Sequence, residues 1–216
     1  MARRPHPKRL LVEGRREQFV IPHLIDGNGI PWGQRESPIV EIEEFNGVQN
    51  LLAAGAIEAT FKSSGVTTVG VLVDADDDLD ARWQAVRGRV ISLFPNVPRQ
   101  WPGTALIESN SGGQKLGVWI MPDNSTSGMI ESFLQYLAPT SSEDLLDYAR
   151  QVCVDVSARG APFKDAHRAK AEIYTWLAWQ DEPGRPLELA VKERILDPSS
   201  AQAASFVQWF RDLFEV

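Results

Sequence analysis

Cys153 is the only cysteine among 216 residues, which excludes an internal disulfide and any Cys-rich zinc site. Its place in an apolar helical pattern marks it as a small buried residue. Histidine is nearly as scarce. His6, His23 and His167 are scattered and form no HExxH pair, so zinc hydrolysis and a Ser-His-Asp triad are poorly supported. No run approaches the roughly 18 apolar residues of a membrane span. The basic start Arg3-Arg4-Pro5-His6-Pro7-Lys8-Arg9 leads into an apolar stretch too short for a signal-peptide core, and the cytoplasm is the expected location. Positive charge is also short: the net charge of -7 argues against a protein that coats nucleic acid by bulk attraction. It does not exclude a nuclease, whose acidic site lowers the total while local cations, here residues 3 to 9 and Arg15-Arg16, meet phosphates. Either group could equally be a solvated terminus or helix surface.

What the chain does contain is an ordinary globular composition, 43% hydrophobic and 24% charged, enough to bury a substantial core. Its organising stretch runs Val69-Gly70-Val71-Leu72-Val73-Asp74-Ala75-Asp76-Asp77-Asp78. A β-branched apolar run bounded by loop residues reads as a strand buried on both faces, the habit of parallel sheets covered by helices. If the strand continues to its end, Asp74 and Asp76 point to the same side. Leu10-Leu11-Val12 likewise ends on Glu13-Gly14, and Val118-Trp119-Ile120-Met121 ends on Pro122-Asp123. Parallel strands bring their carboxyl ends to one edge, where open α/β sheets place their sites.

Acids far apart in sequence would therefore converge. Two carboxylates about 4 Å apart repel by roughly 4 kcal/mol at an effective dielectric of 20, so a cluster needs protons, basic partners or metal ions. Magnesium is the natural neutraliser of an all-oxygen site. Glu13, Asp74 and Asp76 are read as that site. Asp77 and Asp78 are read as a solvated loop capping the following helix, where acids are ordinary.

The remaining pattern predicts a helix over 15–24 stopped near Pro22, with Glu17 about one turn beyond Glu13 and able to face back toward the strand end. Residues 26–38 are turn-rich and match no phosphate-binding fingerprint. A strand near a sheet edge is expected at 39–45, a helix at 48–62 and another at 79–94. Two strands at 104–108 and 115–121 flank a hairpin turn. A helix at 129–137 carries Glu131 in its first turn. There the helix dipole alone would favour it, yet the same geometry aims it at the site. From Ser141 onward the chain is helical, either an appended layer or the outer helices of one domain. On the helix at 165–180, Lys170 falls within the apolar sector and must snorkel out or find an acid, the cluster being the obvious partner.

Together these residues resemble a Toprim domain, the α/β metal-site module of topoisomerases, primases and OLD-type nucleases. The matching marks are Leu-Val-Glu13-Gly14 after the first strand, Val-Asp74-Ala-Asp76 after a later one, and Glu17, an acid of the nuclease branch. Gly-Val-Trp-Ile-Met-Pro-Asp-Asn, Gly128-Met-Ile-Glu131 and Lys170-Ala also resemble a Toprim-like bacterial family without an assigned activity. The resemblance implies a mostly parallel, Rossmann-like sheet flanked by helices. Its parts would be a basic arm at 1–8, a core at 9–138 and a helical extension at 139–216 packed on that core. It implies Glu13 as metal ligand or general base, Asp74 and Asp76 as the metal-binding pair, and Glu17 and Glu131 as additional ligands. Lys170 would offset charge in the transition state, and Asp78 and Asp123 would stand behind the ligands. The implied cofactor is one or two Mg²⁺ or Mn²⁺ ions.

The expected function is thus a divalent-metal-dependent nucleic-acid phosphodiesterase, with DNA favoured over RNA, in phage defence or DNA metabolism. No GxxxxGK[ST] sequence is present, so an ATPase of the kind fused to many OLD-type proteins would be a separate subunit. That leaves a second reading: a partner-dependent Toprim effector or binding module without autonomous activity. No primase-type zinc module is present, and nothing nominates Tyr136, Tyr148 or Tyr174 as a topoisomerase nucleophile. A haloacid-dehalogenase-type phosphatase ranks lower, since Asp78 occupies the place where that motif carries Thr or Val. No membrane partner is expected, and an oligomer is compatible with the sequence.

Overall fold

The structure, a computed structural model, describes residues 6–216; Arg3 and Arg4 of the expected basic arm lie outside them. In chain order the elements begin with β1 (Lys8–Val12), α1 (Arg15–Gly27), a two-residue hairpin β2 (Gly33–Gln34) and β3 (Ser37–Pro38), and β4 (Glu41–Glu44). There follow α2 (Val48–Leu51), α3 (Ala56–Lys62), β5 (Thr68–Asp74), α4 (Leu79–Val90), β6 (Leu106–Ser109) and β7 (Lys115–Met121). The second half is helical: α5 (Ile130–Gln135), α6 (Glu143–Ala158), α7 (Arg168–Leu177), α8 (Leu187–Lys192) and α9 (Ala201–Phe214).

Five strands form one sheet in the order β4-β1-β5-β7-β6. The first four run parallel, and β6 closes the far edge antiparallel to β7. The alternation of side chains divides the core in two. Leu10, Val12, Leu72, Trp119 and Met121 pack with α1, α5 and α9 on one face. Leu11, Val69, Val71, Val73, Val118 and Ile120 pack with α3 and α4 on the other. Burial on both faces is why these strands read as unbroken apolar runs.

The last helix lies directly against β5 and β7. Gly70 and Gly117 are register partners on neighbouring strands, and a Cβ on Gly117 would stand 2.3 Å from Leu213 Cδ2. The two glycines therefore open a trough in the sheet that Leu213 fills. Trp119 then packs edge-on against Phe206, with ring centroids 5.1 Å apart. Lys8 donates from Nζ to the Phe214 carbonyl, and Lys115 pairs with Glu215. The helical second half thus includes the sheet's own cover.

Several boundaries differ from the expected ones. The helix expected at 48–62 is two helices, because Gly55 adopts a left-handed φ of 83° between them. Pro22 does not stop α1, which continues to Gly27. Burial of Val20, Ile21, Leu24 and Ile25 carries the helix past a residue that lacks an N–H. Basic residues at the start of the chain are engaged structurally: Arg9 pairs with Glu41 at 3.2 Å and Glu43 at 2.9 Å on the edge strand. Among the described residues no helix is long and apolar enough to cross a membrane.

Candidate functional site

Because β1 and β5 are parallel neighbours, their carboxyl ends meet. Glu13 follows β1 directly, and its Oε1 accepts a hydrogen bond of 2.9 Å from the Asp74 backbone N–H. Asp74, the last residue of β5, accepts at Oδ1 a 2.9 Å hydrogen bond from the Ile130 N–H at the start of α5. One carboxylate thereby ties two strands together, and the other ties the sheet to a helix.

Strand alternation does not place Asp76, as the sequence reading supposed it would. The strand stops at Asp74, and Asp76 takes a left-handed φ of 52°. It is held by reciprocal backbone bonds with Gly128, Asp76 N to Gly128 O at 2.9 Å and Gly128 N to Asp76 O at 2.8 Å. Gly128 is required there: its φ is 141° and a Cβ would lie 2.8 Å from Ser132 Oγ. Arg82, from the first turn of α4, locks the same turn by donating Nε to the Asp74 carbonyl at 2.6 Å and pairing with the Asp76 carboxylate.

Two acids come from helices. Glu17 sits in the first turn of α1 and is 5% exposed. Its Oε2 is buried without a hydrogen-bond partner, in space left by Gly14, whose added Cβ would come within 3.3 Å of that oxygen. Glu131, in the first turn of α5, is 2% exposed and pairs with Arg16.

The electrostatics follow from this crowding. Burial first, then the charges of Glu13, Glu17, Glu131 and Asp76, push Asp74 well above the ordinary carboxylate range. Glu17 is raised to about 7, chiefly by burial, with Glu13 and Glu131 adding to it against its own backbone N–H and Arg16. Glu13 is raised by burial, although the Asp74 N–H and Arg82 oppose the shift. Glu13, Glu17 and Asp74 are thus each raised, first by burial, within reach of the charges of Asp76 and Glu131.

Asp78 and Asp123 have partners of their own. Asp78 caps α4, accepting from the Ala81 N–H at 2.9 Å, which is the capping role foreseen for it. Asp123 closes its own loop by accepting from Ser125 and Thr126. Burial opposes its ionisation, but those hydrogen bonds outweigh it and hold Asp123 below its ordinary value. Lys170 is half-buried on α7, and no ion pair joins it to the acids. Helix α7 reaches this end through Gln135, which donates to the Ala169 carbonyl at 3.1 Å.

Two hollows open at the strand ends. One of about 330 Å³ is lined by Glu13, Glu17, Asp74, Arg15 and Arg16. The other, of about 610 Å³, is lined by Asp76, Gly128, Arg168 and Glu172. Asp74 therefore lines the first and Asp76 the second. Among the described residues, no group of three or more Asp, Glu, His or Cys side chains is placed to hold a metal ion. The donor types are nonetheless those a hard divalent cation takes, since each of the five acids offers carboxylate oxygens, and Glu17 Oε2 is buried and unpartnered.

Sequence reasoning did not foresee Arg16 and Arg82 as the partners of Glu131 and Asp76. Arg16 was singled out only as a candidate phosphate contact. The position of Arg82 one turn after the helix-capping Asp78 was the one available signal.

A family model described as "Protein of unknown function (DUF3226)" matches residues 7–215. No curated protein matches the chain. Among solved structures, the C-terminal region of the Xanthomonas campestris pv. campestris OLD protein is similar with 17% identity and a TM-score of 0.38, covering 97% of this chain and 96% of that one. At that distance the likeness says nothing about chemistry.

Proposed function

From a chain that belongs to the DUF3226 family, described only as proteins of unknown function, we propose a Toprim-type, divalent-metal-dependent phosphodiesterase acting on nucleic acid, with DNA favoured over RNA. The observation that carries this reading is the meeting of Glu13 and Asp74 across adjacent parallel strands, with the unpartnered Glu17 oxygen buried beside them. Such crowding of carboxylates is relieved by a divalent cation more effectively than by protons at neutral pH.

Glu13, Glu17, Asp74, Asp76 and Glu131 would hold Mg²⁺ or Mn²⁺, in one or two sites. Bound there, the metal supplies charge neutralisation at phosphate and a more acidic water. The chain's own part is preparatory. Arg82 fixes the Asp74–Asp76 turn, and Arg16 holds Glu131 in place. Glu17, raised to about 7, and Asp74, raised by burial and its acidic neighbours, must release any proton before their oxygens can act as ligands. Lys170, on the helix beside α5, would offset phosphate charge once substrate draws it inward.

The test is nicking of plasmid DNA, and cleavage of RNA, under Mg²⁺ or Mn²⁺ by the wild type, Glu13→Gln and Asp74→Asn. The expected result is loss of activity by about a hundredfold or more in both variants, with an unchanged circular-dichroism spectrum. Undiminished cleavage in both would refute the assignment.

One observation favours a second reading, a Toprim effector that depends on a separate ATPase subunit. Asp76 and Glu131 are already engaged by Arg82 and Arg16, an arrangement a partner could open. Inactivity alone with activity on mixing would select that reading.

A further inference from the structure

Next to the acidic hollow, and sharing Arg15 with it, runs a groove of about 830 Å³ between α1, the β2–β3 hairpin and the edge strand β4. Its walls include Phe19, His23, Trp32, Arg35 and Ile42. Phe19 is 47% exposed, an unusual expense of apolar surface on a helix whose Val20, Ile21, Leu24 and Ile25 are buried. The Arg15 guanidinium stands 6.0 Å from the Phe19 ring centroid. Arg35 is exposed at the hairpin. The two acids of the groove are already engaged: Asp26 accepts from the Trp32 N–H at 2.6 Å, and Glu41 pairs with Arg9. Asp26 keeps its charge, but it lies at the Trp32 end of the groove, bound to that backbone N–H, while the exposed Phe19 ring has Arg15 beside it and Arg35 lines the same groove from the hairpin.

We propose that this groove seats a single-stranded segment of nucleic acid leading to the carboxylate cluster, with a base stacked on Phe19 and phosphates met by Arg15 and Arg35. The proposal rests on the phosphodiesterase reading for the identity of the polymer, and it adds the path and the strandedness. Aromatic faces interleaved with cations suit a single strand, whose bases are free to stack. A duplex keeps its bases inside and offers Phe19 nothing to stack on. The acids of the cluster repel phosphate, so cations at its border are needed to bring the chain across it.

The experiment is fluorescence anisotropy of a labelled twelve-nucleotide DNA, single-stranded or duplex, with the full chain in EDTA, so that binding is read without cleavage. Wild type is expected to prefer the single strand. Phe19→Ala should weaken that binding about tenfold, while Phe19→Trp retains it. Arg35→Gln should flatten the salt dependence, by about 0.7 in the log–log slope per lost phosphate contact. Equal affinity for both forms, no wild-type binding, or an unchanged Phe19→Ala variant overturns the groove. If plasmid nicking still depends on Glu13 in that case, the phosphodiesterase reading stands without it. If instead Phe19→Ala loses binding while Glu13→Gln nicks normally, the groove stands and the catalytic assignment falls.

Discussion

Glu17 is the residue in which the site's cost is clearest. Its carboxyl is raised to about 7 from 4.5, first by burial, so its protonated form contributes stability that is fully present below about pH 4.5. That contribution is lost as pH rises through 7, because the folded chain must then ionise an acid it has buried. Glu17→Gln removes the titration while keeping the shape. The variant should therefore melt higher than wild type at pH 8 without divalent ions, by on the order of 3 kcal/mol in stability, with the difference closing by pH 4. Thermal melts across that range decide it, and a variant no more stable than wild type at pH 8 would mean that the folded protein does not bear this charge. At this scale the site was half legible. Glu13 and Asp74 stand out because each closes a strand, and Glu17 and Glu131 because each opens a helix, positions that periodicity marks. The pairing of Arg16 does not, because a partner 115 positions away, Glu131, leaves no local trace.

Among the elements, α9 against β5 and β7 is the contact with least tolerance. Gly117 has a Leu213 methyl where its Cβ would stand, at 2.3 Å. Gly117→Ala should destabilise the chain by about 1–3 kcal/mol, the usual penalty of overpacking. Leu213→Ala in the same chain should return part of that loss, so that the double variant is less damaged than the two single effects combined. Strict additivity in urea melts would show that helix and sheet do not meet there. The strands themselves were legible: β7 spans the residues read from sequence, 115–121, because burial on both faces leaves an uninterrupted apolar run. The helices were less so. Gly55 divides the segment read as one helix, and Pro22 fails to end α1. At Pro22 the outcome turns on what the neighbouring side chains bury, which lies outside any local window, and at Gly55 on a left-handed backbone. The turn carrying Asp76 was hidden for a related reason, since its partner, Gly128, is 52 positions away.

For the whole molecule, the question is whether the acidic cluster belongs to a core that could fold without the helical half. The sequence suggested a division at 138, with the later helices packed on a core of 9–138. Leu10, Leu72 and Trp119 of the sheet share one apolar cluster with Phe206, Phe210, Leu213 and Phe214 of α9. Those four α9 side chains are fully buried, and burial of each is worth about 1.5–3 kcal/mol. Together they amount to roughly the entire net stability of a typical domain, 5–15 kcal/mol. Their loss would also bare the trough at Gly70 and Gly117 along the middle of the sheet. A fragment of residues 1–138 should therefore show no cooperative thermal transition and should bind a hydrophobic dye, whereas the full chain melts in one step. The acids at the strand ends would be lost with it, since Glu13 and Asp74 are held only while β1 and β5 stay in register. A fragment that melts cooperatively and still binds Mn²⁺ through Asp74 would instead place the site in an independent core, and α9 would then be a cover added to a sheet already able to stand alone.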